Sequence, residues 1–172
     1  METSLVSLIS MALIVISVVT MTVSTFQSSS KLADSWKEME KVSSRAARTS
    51  IAASAPSDYQ SGLIDLTIEN TGQVNLNGFS GWDIISQFQS GNSRYLAYTS
   101  GYPPGDNQWT IKGIYMPDGI PEVFDPKILN PGERMVVSIQ LNPVLANGET
   151  LKVTISTPVG ITSQCYVTNR LP

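Results

Sequence analysis

Residues 1–30 read METSLVSLISMALIVISVVTMTVSTFQSSS, and this stretch decides how the remainder is read. Its only charge is Glu2, and its dense apolar part, 5–26, is long enough for an α-helix to cross a hydrocarbon layer of about 30 Å. Helix propensity does not make the case, because Val, Ile, Thr and Ser are middling helix formers in water. Burial does. In lipid or in a dry bundle a helix satisfies its own backbone, whereas a lone strand leaves each N–H and C=O orphaned at several kcal/mol. Small and hydroxyl residues (Ser4, Ser7, Ser10, Ala12, Ser17, Thr20, Thr22, Ser24) run through the segment. They permit close helix approach, and their hydroxyls can bond back to their own helix or across to a neighbour. The stretch therefore either anchors the chain in a membrane or bundles with copies of itself.

Gly and Pro divide the rest of the chain. All 12 Gly and all 10 Pro of the 172 residues lie after Ala55. A run without a breaker, followed by a region full of them, predicts a long helix and then an all-β domain. Unbroken over 1–55, such a helix would reach roughly 80 Å. The expected domains are thus a hydrophobic to amphipathic helix over 1–55 and a β-sandwich over 56–172, an α+β chain whose head is immunoglobulin-like.

No basic residue precedes Lys31, so the chain lacks the basic n-region of a secretory signal, and Ala53-Ser54-Ala55 is too far from the apolar core to serve as its cleavage site. Either a basic leader has been removed ahead of Met1, or the chain enters the membrane by its own means. In the first case Glu2 is placed to pair with a free α-amine in an apolar bundle; otherwise it is a solvated acid at a frayed end.

Over 31–54 the helix is expected to continue in amphipathic form. Leu32, Trp36, Met39, Ser43 and Ala46 mark a narrow seam at spacings of four, three, four and three. Lys37, Lys41 and Arg45 form a basic stripe at four-residue spacing, expected to be partly offset by Asp34–Lys37 and Glu38–Lys41 pairs. Five basic against three acidic residues over 31–48 leave +2, fitting either acidic groups on neighbouring subunits or a solvated face beside a membrane. Such a flank belongs in the cytoplasm unless a removed leader carries its own Lys or Arg. Residues 55–61 are then the link between helix and head.

From there the pattern has period two. Ile64, Leu66 and Ile68 alternate with Asp65, Thr67 and Glu69 up to Asn70-Thr71-Gly72. Val74 with Leu76, Trp82 with Ile84 and Phe88, 95–99, and Trp109 with Ile111 predict further strands. Asn130-Pro131-Gly132-Glu133 is a strong turn opening a strand with Met135, Val137, Ile139 and Leu141 on one face. Leu151, Val153 and Ile155 repeat the alternation, and Ile161, Ser163, Cys165 and Val167 end the series. About seven short strands separated by turns predict a sandwich, with Cys165, Trp82 and Trp109 in its core.

Several chemistries are excluded or unsupported. There is no histidine, which removes Ser-His-Asp and Cys-His arrangements. The single Cys165 cannot close an internal disulfide. No catalytic motif, phosphate loop or cofactor signature is present, so no catalytic residue and no cofactor are expected. Eleven basic against 14 acidic residues give nothing that suggests nucleic acid. Asp118, Glu122 and Asp125 are the one candidate metal site, for Ca²⁺, without EF-hand spacing. No Asn-x-Ser/Thr sequon occurs.

An apolar helix of some fifty residues joined to a β-sandwich resembles archaellin, the subunit of the archaeal motility filament within the type IV pilin-like superfamily. LIDLTIENTGQVNL, LNPGERMVVSIQL and ETLKVTISTPVGITSQCYV are similar to head segments of archaellins and of the archaellum accessory proteins called FlaF and FlaG. The resemblance implies a precursor with a basic leader cut by a prepilin-type peptidase, transient insertion in the cytoplasmic membrane, and extraction by a motor and assembly platform into an extracellular helical homopolymer. The polymerising residues would be Glu2, Leu5, Leu8, Ile9, Leu13, Ile16, Val19, Phe26, Trp36 and Met39. Type IV pilins proper carry an acid at the fifth mature position, where this chain has Leu5. The alternatives are a membrane-anchored accessory protein of FlaF or FlaG type that holds a surface-layer or stator component, and a subunit of an adhesive pilus.

Overall fold

The computed structural model describes residues 2–56 and 62–169. The chain divides into two units, Met1–Ser44 and Arg45–Pro172.

The first unit is helical. Helix α1 runs Glu2–Arg48, 47 residues or about 70 Å. Within its apolar part the hydroxyls of Ser10, Ser17, Thr20, Thr22 and Thr25 each donate to the carbonyl four residues earlier, at 2.7–2.9 Å. These side chains so lose their polar character inward and leave methyl and methylene groups outside.

α1 stops at Arg48, seven residues before the end expected from the first Gly or Pro, and Ile51–Ser54 is strand β1 rather than helix. Tertiary pairing overrides the missing breaker. Thr49 closes the last turn, its Oγ1 donating to Arg45 O at 2.8 Å and its N–H to Ala46 O at 3.1 Å. Gln73 N–H then caps Arg48 O at 2.9 Å, and Thr71 N–H donates to Ser50 O at 3.0 Å. A Cβ on Gly72 would lie 2.6 Å from Ser50 N and 2.7 Å from Arg48 O, so only glycine lets the two backbones meet. β1 pairs antiparallel with β2 and buries Ile51. Of the expected 55–61 link, 57–61 lie outside the described residues.

The head has seven further strands: β2 (Leu63–Asn70), β3 (Asp83–Phe88), β4 (Ser93–Tyr98), β5 (Gln108–Tyr115), β6 (Arg134–Gln140), β7 (Thr150–Ser156) and β8 (Thr162–Thr168). Their order is β1-β2-β6-β5-β4-β3-β7-β8. All neighbours are antiparallel except β4 and β5, joined in parallel through Ala97–Gln108 and Tyr98–Trp109. At the open ends of the sheet, Ala53 N–H of β1 donates to Ser163 Oγ of β8 at 2.9 Å, so the sheet folds over itself into a nearly closed sandwich. Alternate residues fill the interior: Ile64, Leu66 and Ile68 from β2, Met135, Val137 and Ile139 from β6, Leu151, Val153 and Ile155 from β7. Trp82 and Trp109 are buried among them, as is Cys165, whose thiol burial pushes up to about 11. Val74 and Leu76 form no strand; Leu76 makes one isolated bridge to Leu129.

The two turn signals interlock. Asn70, fully buried, donates through Nδ2 to Val74 O and Leu129 O, both at 2.9 Å, and accepts Gly72 N–H on Oδ1 at 3.1 Å. Its backbone N–H donates to Glu133 O at 3.0 Å, and its carbonyl accepts from Gly132 N–H at 2.8 Å. Across that second turn, where Gly132 takes φ 84°, the Glu133 carboxylate accepts from Asn130 N–H at 2.7 Å and Asn130 Nδ2 at 3.0 Å. The Asn-Thr-Gly and Pro-Gly-Glu segments are therefore one hydrogen-bonded device that also receives the end of α1.

Candidate assembly surface

The surface of α1 is unlike that of a folded soluble helix. Leu5, Leu8, Ile9, Leu13, Ile16 and Val19 each expose at least half of their area, and Phe26 exposes 77%. Met11, Ile14, Val15 and Val18, on other sides of the helix, are equally open. The helix is thus apolar all round from Leu5 to Phe26. It is the one helix among the described residues long and apolar enough to cross a membrane. Covering one such Leu or Ile side chain is worth about 2 kcal/mol. An apolar face on every side suits lipid or several partner helices at once, but not a single groove. Glu2, expected to take part, lies in the helix, with its side chain outside the described residues.

Beyond the apolar part the side chains change. Trp36 and Met39 remain exposed. The expected Asp34–Lys37 and Glu38–Lys41 pairs do not form: among the described residues the ion pairs are Lys112–Asp65 at 2.6 Å and Arg134–Glu69 at 3.3 Å, both in the head. An exposed pair three apart on a helix gains only a few tenths of a kcal/mol, which the entropy of holding two long side chains in place and the hydration of each ion offset. Among the described residues Lys37, Lys41 and Arg45 form no ion pair.

Asp118, Glu122 and Asp125 do not converge on a metal; among the described residues no group of three or more His, Cys, Asp or Glu could hold one. Asp118 Oδ1 accepts Ile120 N–H at 3.1 Å, and Glu122 Oε1 accepts Phe124 N–H at 2.7 Å and Asp125 N–H at 3.1 Å. The backbone bonds from Asp125 and Phe124 hold the Glu122 carboxyl below its ordinary value. These carboxylates order their own loop. An open groove of about 600 Å³ beside β5 is lined by Tyr98, Ile111, Tyr115, Pro121 and the stem of Lys112. Lys112 is committed to Asp65, whose carboxyl burial raises but which the bonds from Lys112 and Ser138, with the lysine charge, bring below its ordinary value. Composition reveals the apolar helix. The loop 118–125 stands out in the sequence for its acids, although Val123-Phe124 flanked by Pro is legible there as an apolar tip.

No protein-family model and no curated protein matches the sequence. Solved structures do. The archaellum periplasmic stator protein FlaG from Sulfolobus acidocaldarius superposes with a TM-score of 0.53 at 19% identity, over 69% of this chain and 99% of that one. The stator complex of FlaF and FlaG from the same organism gives 0.50 at 18%, over 67% and 87%. The archaeal flagellin FlaB1 from Methanocaldococcus jannaschii gives 0.51 at 10%, over 70% and 91%. At such identities the likeness is one of fold: this chain is built on the fold that archaellum stator proteins and archaeal flagellin share.

Proposed function

We propose that this chain is a structural subunit of an archaellum-like helical filament and polymerises through α1. The observation that carries the reading is the helix itself, apolar on every side from Leu5 to Phe26, with the hydroxyls of Ser10, Ser17, Thr20, Thr22 and Thr25 bonded inward. In the proposed filament, helices of many copies bundle into a dry core through Leu5, Leu8, Ile9, Leu13, Ile16, Val19 and Phe26, and the sandwiches coat it. Before assembly the same helix rests in the cytoplasmic membrane, where leader removal by a prepilin-type peptidase and handover to an assembly platform belong to the proposal. The fold shared with flagellin FlaB1 supports it, and so does the absence of any histidine or catalytic motif, which fits a protein that catalyses nothing.

A second reading is a membrane-anchored accessory protein of the FlaF or FlaG kind, favoured by the FlaG likeness, which spans 99% of that chain. Abundance separates the two. Shearing producing cells and quantifying the chain by mass spectrometry should place most of it in the sheared, filament-bearing fraction. Recovery confined to membranes, at a small fraction of the filament protein, would replace the polymer with the accessory role. An adhesive pilus subunit shares this architecture and differs in lacking rotation, which tethered-cell microscopy reads.

A further inference from the structure

The two outer faces of the sandwich are not alike. On the face built from β2, β5 and β6 the polar side chains bond to one another: Asp65 accepts from Lys112 and Ser138, and Glu69 from Arg134. The face built from β3, β4, β7 and β8 is different. Its register sets Ser93, Gln87, Lys152 and Tyr166 in one row across the four strands, and Tyr95, Ile85, Thr154 and Gln164 in the next. The alternation of burial along β3, β7 and β8 turns these residues outward, and Tyr166 is 61% exposed. Those eight residues carry one charge, Lys152. Among the described residues, the side chains of Gln87, Lys152, Gln164 and Tyr166 have no hydrogen bond or ion pair.

One end of this face is hollowed. Gln87, Gln89, Lys152 and Tyr166 surround an open depression of about 450 Å³ beside the turn from β3 to β4, and no carboxylate is among its lining residues. The frame is fixed by the backbone. Phe88 N–H donates to Asn92 O at 2.8 Å, Gly91 N–H to Phe88 O at 2.9 Å and Gln89 N–H to Thr150 O at 3.1 Å, with Gly91 at φ 94° making the turn. A ligand therefore meets strands already in place, which keeps the cost of ordering the site low. From Gln87 to Tyr166 is two strand spacings, about 10 Å.

Two carboxamides, one ammonium and an aromatic ring around such a hollow match one ligand chemistry. A pyranose has C–H groups on its faces, which stack on an aromatic ring, and hydroxyls round its rim. Each hydroxyl both donates and accepts, and a carboxamide answers both. A polyanion would need more than one cation here, and an apolar ligand would leave both amides and the ammonium unpaired. We infer that this hollow binds a glycan: Tyr166 stacks on one sugar ring, Gln87 and Gln89 bond its hydroxyls, and Lys152 donates to a sugar oxygen. The site lies wholly in the head and stands apart from how α1 is covered. It gives a filament or an anchored accessory protein alike a hold on polysaccharide.

The test uses the full-length chain in mild detergent against biotinylated mannan, β-1,3-glucan, galactomannan and polygalacturonate on a biolayer sensor. Saturable binding to at least one is expected. Tyr166→Ala should weaken it at least tenfold, and Gln87→Ala and Lys152→Met at least threefold each. Tyr166→Phe, which keeps the ring, should stay within threefold of the unsubstituted chain, and Tyr102→Ala, an exposed tyrosine outside this face, should change nothing. Thermal melts accompany every variant; should Tyr166→Ala not fold, Gln87→Ala and Lys152→Met decide. Binding to none of the four polysaccharides overturns the inference, as does binding that Gln87→Ala and Lys152→Met leave unchanged. A Tyr166→Ala chain that binds glycan normally but loses self-association in analytical ultracentrifugation also overturns it, and gives the face to a second copy.

Discussion

Removing the Asn70 carboxamide takes the side-chain donor from Val74 O, leaves Leu129 O with the Leu76 N–H alone, and takes the acceptor from Gly72 N–H. Asn70→Ala should destabilise the isolated head by about 3 kcal/mol, since each orphaned buried group costs about 1–3 kcal/mol. A urea midpoint unchanged by the substitution would refute this. Asn70-Thr71-Gly72 is legible as a strand end because Asn and Gly favour turns, and Pro131-Gly132 likewise. That Asn70 and Glu133 bond to each other's turns depends on residues some sixty positions apart, and that Gly72 admits the end of α1 on residues more than twenty apart; neither is written in one segment. Asp65 gives a pH signature of definite sign. Its folded carboxyl titrates below the ordinary 3.8, so its contribution is fully present above that value and is lost as pH falls from there through the lowered folded value. Asp65→Asn should therefore narrow the stability gap between pH 6 and pH 3, measured by thermal melts of the head; an unchanged gap would assign acid sensitivity elsewhere.

At the scale of elements, alternation marks β2, β3, β6, β7 and β8, whereas β4 buries only Leu96, β5 is bulged between Ile111 and Gly113, and β1 carries no such signal. β2, β6, β7 and β8 show inward Ile, Leu, Val and Cys at every second position, and burial follows that alternation. β1 escapes because Ile51-Ala52-Ala53-Ser54 is a sequence content in a helix, and only pairing with β2 and burial of Ile51 make it a strand. The same long-range force sets the end of α1. For α1 itself composition sufficed, because an apolar run of that length must be covered by lipid or by other helices. Leu13→Asp places a charge in the middle of the apolar span and should abolish filaments, while the head within the substituted full-length chain keeps its thermal melt in detergent. Arg94→Ala, on an exposed strand position, should alter neither. Filaments of normal length from Leu13→Asp would show that helix burial does not drive assembly.

For the molecule as a whole, the head has a closed apolar core and the helix has none. The head closes its sheet through Ala53 and Ser163, buries a contiguous core and carries its ion pairs internally. α1 leaves apolar area open on every side, which several like neighbours can cover in a polymer. Fold and apolar helix were legible in the sequence because both rest on period and composition. The bonds that pin the Phe124 tip were not legible, because they are a property of three-dimensional placement. The measurement that bears most directly on helix-driven polymerisation is electron cryomicroscopy of the purified full-length chain after detergent removal. Filaments are expected, with α1 helices bundled at the axis, Leu13 buried among them and sandwiches outside; monodisperse particles, each with one helix alone in a lipid layer, would contradict it.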